Sequence, residues 1–387
     1  MIYLDNAATS GTKPKSVINA VNTALSRFSV NPGRGGYDLS QKCAEIIYNC
    51  RSEVASFFGA RDSTCVIFTQ NCTQSINFVL KGVLKPGDHV IVSSLEHNAV
   101  MRPLYELSKT GVEVDAAEVI FGDNDATARA FSNLIKPNTK LVFCTHASNV
   151  LGNVLPIGKI GKICKEKGVL FGVDAAQTAG ILEIDMQKDN IDYLCVAPHK
   201  GLYAPMGTGI LIANKPIPKT VIEGGTGTDS IIAKQPSDMP ERFESGTVNV
   251  PGIFGIRAGV KFVKEQGINE LYRKELSLCQ KCYSSLTKIK GVSLYTDMPQ
   301  FDNFVPTLSF NLRGADSIEI ADLLNQKGIC VRAGLHCAPS AHRRIGTLQR
   351  GTVRVSFSAF NNQGDVAAFC LAVSDISKSH YNYKFFY

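Results

Sequence analysis

The 387-residue sequence holds no uninterrupted apolar run long enough to cross a bilayer, so no helical membrane protein and no membrane partner is expected. It has no low-complexity tract, no internal repeat and no long linker, which excludes solenoids and disordered tails. Charged residues are few, at 19%, against 44% apolar, a balance that suits neither a disordered chain nor a charge-rich filament. Lys and Arg number 41 against 34 Asp and Glu. The resulting charge of +7 is spread along the chain, so no nucleic-acid partner is expected. The one basic cluster, His342, Arg343 and Arg344, is too short for a tail and reads as a solvated loop. The opening residues, MIYLDNAATS, are neither basic nor followed by an apolar stretch, and a cytoplasmic location is expected.

Cysteine, by contrast, occurs twelve times. In a long chain without a secretory signal this number does not read as a disulfide framework. Cys65, Cys144 and Cys195 sit in short apolar runs, and Cys43, Cys50 and Cys164 in helix-like segments, where a cysteine packs as a small hydrophobe. Cys279 and Cys282 form the one C-x-x-C, with no second pair at zinc-ligand spacing, so no metal site is expected.

The organisation follows from recurring apolar runs at 65–69, 89–93, 140–145, 169–173, 193–197 and 209–213. Each is rich in β-branched or aromatic residues and lacks polar alternation, as buried strands do when helices cover both faces of a sheet. Helical patterns at 74–83 and 156–167 alternate with them, so an α/β domain with a mainly parallel sheet is expected. The last third changes style. A long helical region at 253–289 leads to strand-like segments at 307–311, 328–332 and 351–357 and a helix at 317–326. This pattern predicts a large domain over 13–255 and a smaller α+β domain over 256–387, with residues 1–12 packing back onto the smaller one.

In open α/β sheets, ligands gather beyond the carboxyl ends of the strands. The run ending at 69 is followed by NCTQS at 71–75 and a helix start, which reads equally as an N-cap or as a phosphate site. Asp174 follows the run ending at 173, with Ala175, Ala176 and Gln177 after it. A carboxylate there calls for a cationic partner, such as a protonated ring nitrogen, and the alanines leave room for a flat ligand; a helix cap is the alternative. Lys200 follows the run ending at 197, where a lysine either binds phosphate or acts as a nucleophile. A ligand with a phosphate, a ring nitrogen and an aldehyde would use all three positions, and pyridoxal 5'-phosphate is such a ligand. No G-x-G-x-x-G opens a helix after an early strand, so a nicotinamide cofactor fits less well.

These residues, in their order, resemble the cysteine desulfurase branch of the class V aminotransferases. The likeness spans nearly the whole chain: YLDNAAT at 3–9, NPGRGG at 31–36, EHN at 96–98, SNVLG at 148–152, DAAQ at 174–177, HK at 199–200, RFESGT at 242–247, RAGLHCA at 332–338 and TVR at 352–354. The resemblance implies a fold type I pyridoxal-phosphate enzyme with a mainly parallel seven-stranded sheet, working as a homodimer on L-cysteine, with a sulfur-acceptor protein as a further partner. It implies that Lys200 carries the cofactor as a Schiff base and then acts as acid and base at the substrate Cα. Asp174 would pair with the ring nitrogen, and His97 would stack on the ring. Gln177 and Asn149 would contact the phenolic oxygen side, with Asn149 also near the substrate. Cys72 would belong to the cofactor site, Thr73 and His199 would hold the phosphate, Thr247 would reach the phosphate of the neighbouring subunit, and Arg354 would clamp the substrate carboxylate. Cys337 would attack the substrate sulfur, leaving alanine and an enzyme persulfide.

Three positions depart from the family's pattern. Ala197 stands where many relatives carry a phosphate-binding serine, and Leu335 where a second histidine precedes the cysteine motif. The stretch from Cys337 to Arg354 is short, which predicts a constrained catalytic loop. Two other readings keep part of the same residues. A selenocysteine lyase, a cysteine sulfinate lyase or another enzyme of the family would use Lys200, Asp174 and Arg354 without needing the thiol. A non-catalytic sulfur carrier or partner-binding scaffold would need none of them.

Overall fold

The computed structural model describes residues 1–32, 35–228 and 231–383. Part of the motif at 31–36, Gly33 and Arg34, lies outside the described residues. The chain opens with β1 (Ile2–Tyr3), α1 (Lys15–Arg27) and α2 (Asp38–Phe57). An alternating run follows: β2 (Val66–Thr69), α3 (Cys72–Val83), β3 (His89–Ser93), α4 (Asn98–Ser108), β4 (Glu113–Ala117), α5 (Asn124–Asn133), β5 (Thr139–Thr145), α6 (Ile157–Lys167), β6 (Leu170–Asp174), β7 (Tyr193–Val196) and β8 (Gly209–Ala213). Then come α7 (Val250–Gln266), α8 (Ile268–Leu286), β9 (Val292–Leu294), β10 (Thr307–Leu312), α9 (Ser317–Gln326), β11 (Ile329–Cys330), β12 (Arg332–Gly334), α10 (Pro339–Arg344), β13 (Thr352–Ser356) and α11 (Gln363–Tyr383). No helix among the described residues is long and apolar enough to cross a membrane.

The large sheet has seven strands in the order β2-β8-β7-β6-β5-β3-β4, and only β8 runs against its neighbours. Its strands feed two separate cores by strict alternation. Val66, Phe68, Ile91, Val142, Leu194 and Ile210 face one, while Ile67, Val90, Leu141, Tyr193 and Leu211 face the other. Successive side chains of a strand point to opposite faces, and helices cover both, which is why these strands read as unbroken apolar runs. Cys144 packs on one face and Cys195 on the other, each fully buried.

The second sheet is antiparallel, in the order β12-β13-β10-β9, and α8, α9 and α11 pack around it. Cys279 and Cys282 are fully buried in its core beside Leu286, Phe369 and Cys370. β1 pairs in parallel with β11, Ile2 opposite Ile329, so the first residues of the chain lie against its last third.

The structure departs from the sequence pattern in several places. The segment at 328–332 is not one strand: β11 pairs with β1, whereas β12 pairs with β13, so the chain turns between two sheets at Val331. The helical region at 253–289 is two helices, broken at Gly267, whose φ of +80° suits glycine. Residue 255 lies inside the first of them, α7, which packs on α1 and α2. The cluster at 342–344 is no solvated loop either; it ends α10, and His342 is fully buried.

Candidate active site

β6 ends on Asp174, whose Oδ1 accepts from the Ala176 amide at 2.9 Å and lies 3.6 Å from the Cys72 sulfur. Cys72 opens α3, where the N-cap Asn71 side chain accepts from the Gln74 amide at 2.9 Å. Burial, then the Asp174 charge, push the Cys72 thiol well up, so it stays protonated and donates to the carboxylate.

Ala197, Pro198, His199 and Lys200 follow β7. Burial lowers the pKa of the Lys200 amine, and the Asp174 charge only partly opposes it. A desolvated amine with a lowered pKa is a nucleophile. Behind it, His199 Nδ1 meets Thr9 Oγ1 at 3.0 Å, and the His199 carbonyl accepts from Lys13 Nζ at 2.9 Å. Burial, helped by Lys200 and Lys13, pushes His199 down to about 4. Its ring is therefore neutral at pH 7.

β3 and β5 supply the facing wall. His97 caps α4, and its Nδ1 accepts from the Ala99 amide at 3.0 Å, which leaves the neutral ring's proton on Nε2. Burial lowers its pKa, against the pull of Asp174. Its neighbour Glu96 is fully buried. One carboxylate oxygen accepts from the Ser93 and Thr145 amides, and burial raises the group to about 8. Asn149 follows β5, and Gln177 follows β6 and donates to the Ala7 carbonyl at 3.1 Å.

Cys72, Thr73, His97, Asn149, Asp174, Gln177, His199 and Lys200 thus line one cavity of about 130 Å³, together with Ala197. A larger cavity, of about 530 Å³, lies between Ile120 and Thr296 and contains none of them. Size is therefore a poor guide here, and the titratable groups mark the site. Thr247 is elsewhere, in a separate cavity beside Gln74 and Glu244.

Arg354 and His336 meet the site through Asn149, and Cys337 through Asn98. Arg354, in β13 and 2% exposed, donates from Nη1 to the Asn149 carbonyl at 3.0 Å and from Nη2 to Asp5 Oδ1 at 2.6 Å. Asn149 Nδ2 donates to the His336 carbonyl at 2.7 Å, and the Asn98 amide donates to the Cys337 carbonyl at 2.7 Å. Cys337 is exposed, whereas nine of the other cysteines are buried. His336 and Cys337 have φ of +51° and +56°, left-handed conformations that cost about 1–3 kcal/mol each in non-glycine residues. The loop is short, and α10 begins two residues after Cys337.

Sequence reasoning assigned no role to Asp5, Thr9, Lys13, Asn98 or Thr347. Asp5 and Thr9 stand inside the motif at 3–9 and Asn98 inside that at 96–98, which were the available signals; Thr347 gave none.

The aminotransferase class-V family matches residues 2–369. The chain belongs to this family. Among its relatives is a probable cysteine desulfurase of Pyrococcus abyssi, 33% identical over 389 residues that cover 98% of this chain and 95% of the relative. One from Methanothermobacter thermautotrophicus is 32% identical, covering 94% of this chain and 92% of the other. The structure of an apo cysteine desulfurase from Thermococcus onnurineus superposes with a TM-score of 0.89 at 31% identity, covering 98% of this chain and 95% of that one. The cysteine desulfurase CsdA of Escherichia coli gives 0.84 at 27% identity, with 97% and 94% covered. The class V aminotransferase has here the expected architecture, a fold type I pyridoxal-phosphate enzyme with a mainly parallel central sheet.

Proposed function

We propose that this class V aminotransferase is a pyridoxal-phosphate-dependent cysteine desulfurase that converts L-cysteine to L-alanine and carries the sulfur on Cys337 as a persulfide. One observation carries the reading. The exposed Cys337 is tied by its own carbonyl and that of His336 to Asn98 and Asn149, at the wall of the cavity that holds Lys200 and Asp174.

The cavity suits the cofactor. It offers a half-buried lysine whose amine has a lowered pKa, a buried carboxylate and the amino end of α3, with small Ala176 and Ala197 beside them. When bound, pyridoxal phosphate supplies an aldehyde that captures amines and a ring that withdraws electrons from the substrate Cα. Lys200 would hold it and move the proton at Cα. Asp174 would keep a proton on the ring nitrogen, held in place by the Ala176 amide and the Cys72 thiol. His97 would lie against the ring, Gln177 and Asn149 near its oxygen, and Thr73 and His199 near the phosphate. The Arg354 fork would hold the substrate carboxylate. The Cys337 thiolate then attacks the substrate sulfur. An S–S bond forms and the S–Cβ bond breaks, its electron pair passing to the substrate carbons. A proton takes the sulfur's place on Cβ, giving alanine and a persulfide.

Thr247 lies away from this chain's own cavity, which supports a homodimer in which it serves the partner's phosphate. A free nucleophilic cysteine suits the reducing cytoplasm, and its exposure suits delivery of sulfur to an acceptor protein. We further propose dividing the chain after Gly267 rather than at 255, because α7 continues through that position.

The test is an absorbance spectrum of the purified protein before and after L-cysteine, with alanine and sulfide measured on the same sample. Cofactor absorbance that responds to L-cysteine, with both products formed, is expected. Cys337→Ala should stop both products while the spectrum still responds. Unchanged turnover in that variant would remove the persulfide step.

A further inference from the structure

His342 takes no part in the chemistry above, yet α10 buries it completely and both its ring nitrogens are engaged. Nδ1 lies 2.8 Å from Thr347 Oγ1. Nε2 lies 3.4 Å from His336 Nδ1, at the long end of hydrogen bonding, with the two ring planes only 18° apart. The Thr347 amide donates back to the His342 carbonyl at 2.9 Å, which closes the end of α10 on itself. At the other end of this row, His336 Nε2 is buried and has no hydrogen-bond partner.

We propose that His342 is a positioning residue for sulfur transfer: the row Thr347–His342–His336 holds the left-handed His336–Cys337 peptide so that the thiol is presented to the substrate. This rests on the cysteine desulfurase reading. Two consecutive non-glycine residues with positive φ persist only where their surroundings over-determine them. Asn149 and Asn98 hold the two carbonyls. The row adds a side-chain hold on the His336 ring, beside a hydrogen bond to the Arg332 backbone.

The row works as a neutral unit. Burial pushes His342 down to about 4 and, with Arg354 nearby, His336 to about 2. Each neutral ring carries one donor and one acceptor, so the Thr347 hydroxyl and both rings must order their protons together.

Three variants test this: His342→Phe, which keeps a ring and loses both nitrogens; His342→Gln, which keeps one donor and one acceptor; and Thr347→Val. With L-cysteine, His342→Phe should lower kcat for alanine formation at least tenfold, with KM within twofold of wild type. With L-cysteine sulfinate, whose heteroatom leaves without the thiol, its rate should stay within twofold of the wild-type rate. Iodoacetamide should alkylate Cys337 at least threefold faster in the loosened loop. His342→Gln should recover most of kcat. If His342→Phe does not fold, Thr347→Val carries the same expectations. Wild-type kcat in His342→Phe, or an equal loss on both substrates that Gln does not rescue, overturns the proposal. A wild-type protein that makes no alanine from L-cysteine overturns the desulfurase reading itself.

Discussion

Arg354 and Asp5 stand 349 residues apart in sequence and 2.6 Å apart in space, Nη2 to Oδ1. The pair joins the first turn of the chain to the central strand β13. On the other side, the β12–β13 ladder sets Arg332 directly opposite Arg354. Two arginines thus face each other across neighbouring strands, and the carboxylate bound to the buried one is Asp5. A second carboxylate, that of the substrate, would complete the balance of charge.

Asp5→Asn leaves Arg354 buried without its counter-ion. Breaking a buried pair in this way costs about 3 kcal/mol, seen as a lower Tm. The variant should then gain more from a bound carboxylate than the wild type does. Thermal melts with and without saturating L-alanine measure this, and an equal ligand shift in both proteins would disconnect Arg354 from carboxylate binding.

That pair also marks the limit of what the residues disclose on their own. The sheet was legible because its strands are buried on both faces: the run at 209–213 is β8 residue for residue, and that at 89–93 is β3. β4, EVDAA, was missed because it is a half-exposed edge strand with two carboxylates, and local composition carries little β signal there. Asp174 and Lys200 could be singled out because each stands at or shortly after the end of a recognisable strand, where ligands gather. The Asp5–Arg354 contact was not, since no local pattern encodes a pairing across the whole chain. His342 was misread because a histidine followed by two arginines looks solvated, whereas α10 turns Arg343 and Arg344 outward and His342 in.

Cys337 is the one cysteine among the described residues classed as exposed; Cys72 and Cys330 are half-buried, and the rest are buried. Limiting iodoacetamide on the folded protein should therefore modify about one thiol per chain, at position 337. Alanine formation from L-cysteine should fall in step with that modification, while the absorbance response to L-cysteine persists. Peptide mass spectrometry that finds another cysteine labelled first would contradict the exposed placement of the loop.

Asp174→Asn keeps the shape at the end of β6 but removes the charge. Asn retains an oxygen that can accept from the Ala176 amide, so folding should change little. Without the carboxylate nothing would hold a proton on the ring nitrogen of bound pyridoxal phosphate, and kcat should fall about 100-fold, a loss of about 2.7 kcal/mol in transition-state stabilisation. The Lys200 pKa should also drop further, because Asp174 is the first of the charges that raise it. Steady-state alanine formation and borohydride trapping of labelled cofactor on Lys200 read the two effects separately. Near wild-type kcat would remove Asp174 from its proposed role.

Glu96 and His342 predict opposite slopes of stability with pH. Glu96 is raised to about 8 by burial, so the folded protein keeps its proton where the unfolded chain, near 4.5, has lost it. Stability from this group is complete below about 4.5 and is lost as pH rises towards 8. Glu96→Gln is neutral throughout and should gain on the wild type across that window, by up to about 1.4 kcal/mol per pH unit. His342 is depressed to about 4, so the unfolded chain, with its ordinary histidine value of 6.5, binds a proton that the fold refuses. Its contribution is complete above 6.5 and is lost as pH falls towards 4, and His342→Gln should flatten that acid limb by about one proton. Urea unfolding at half-unit steps from pH 4.5 to 8.5 distinguishes the two. A Glu96→Gln curve parallel to wild type between pH 5 and 8 would mean that the carboxyl is ionised inside the fold. In that case the Ser93 and Thr145 amides, which donate to it, outweigh its burial.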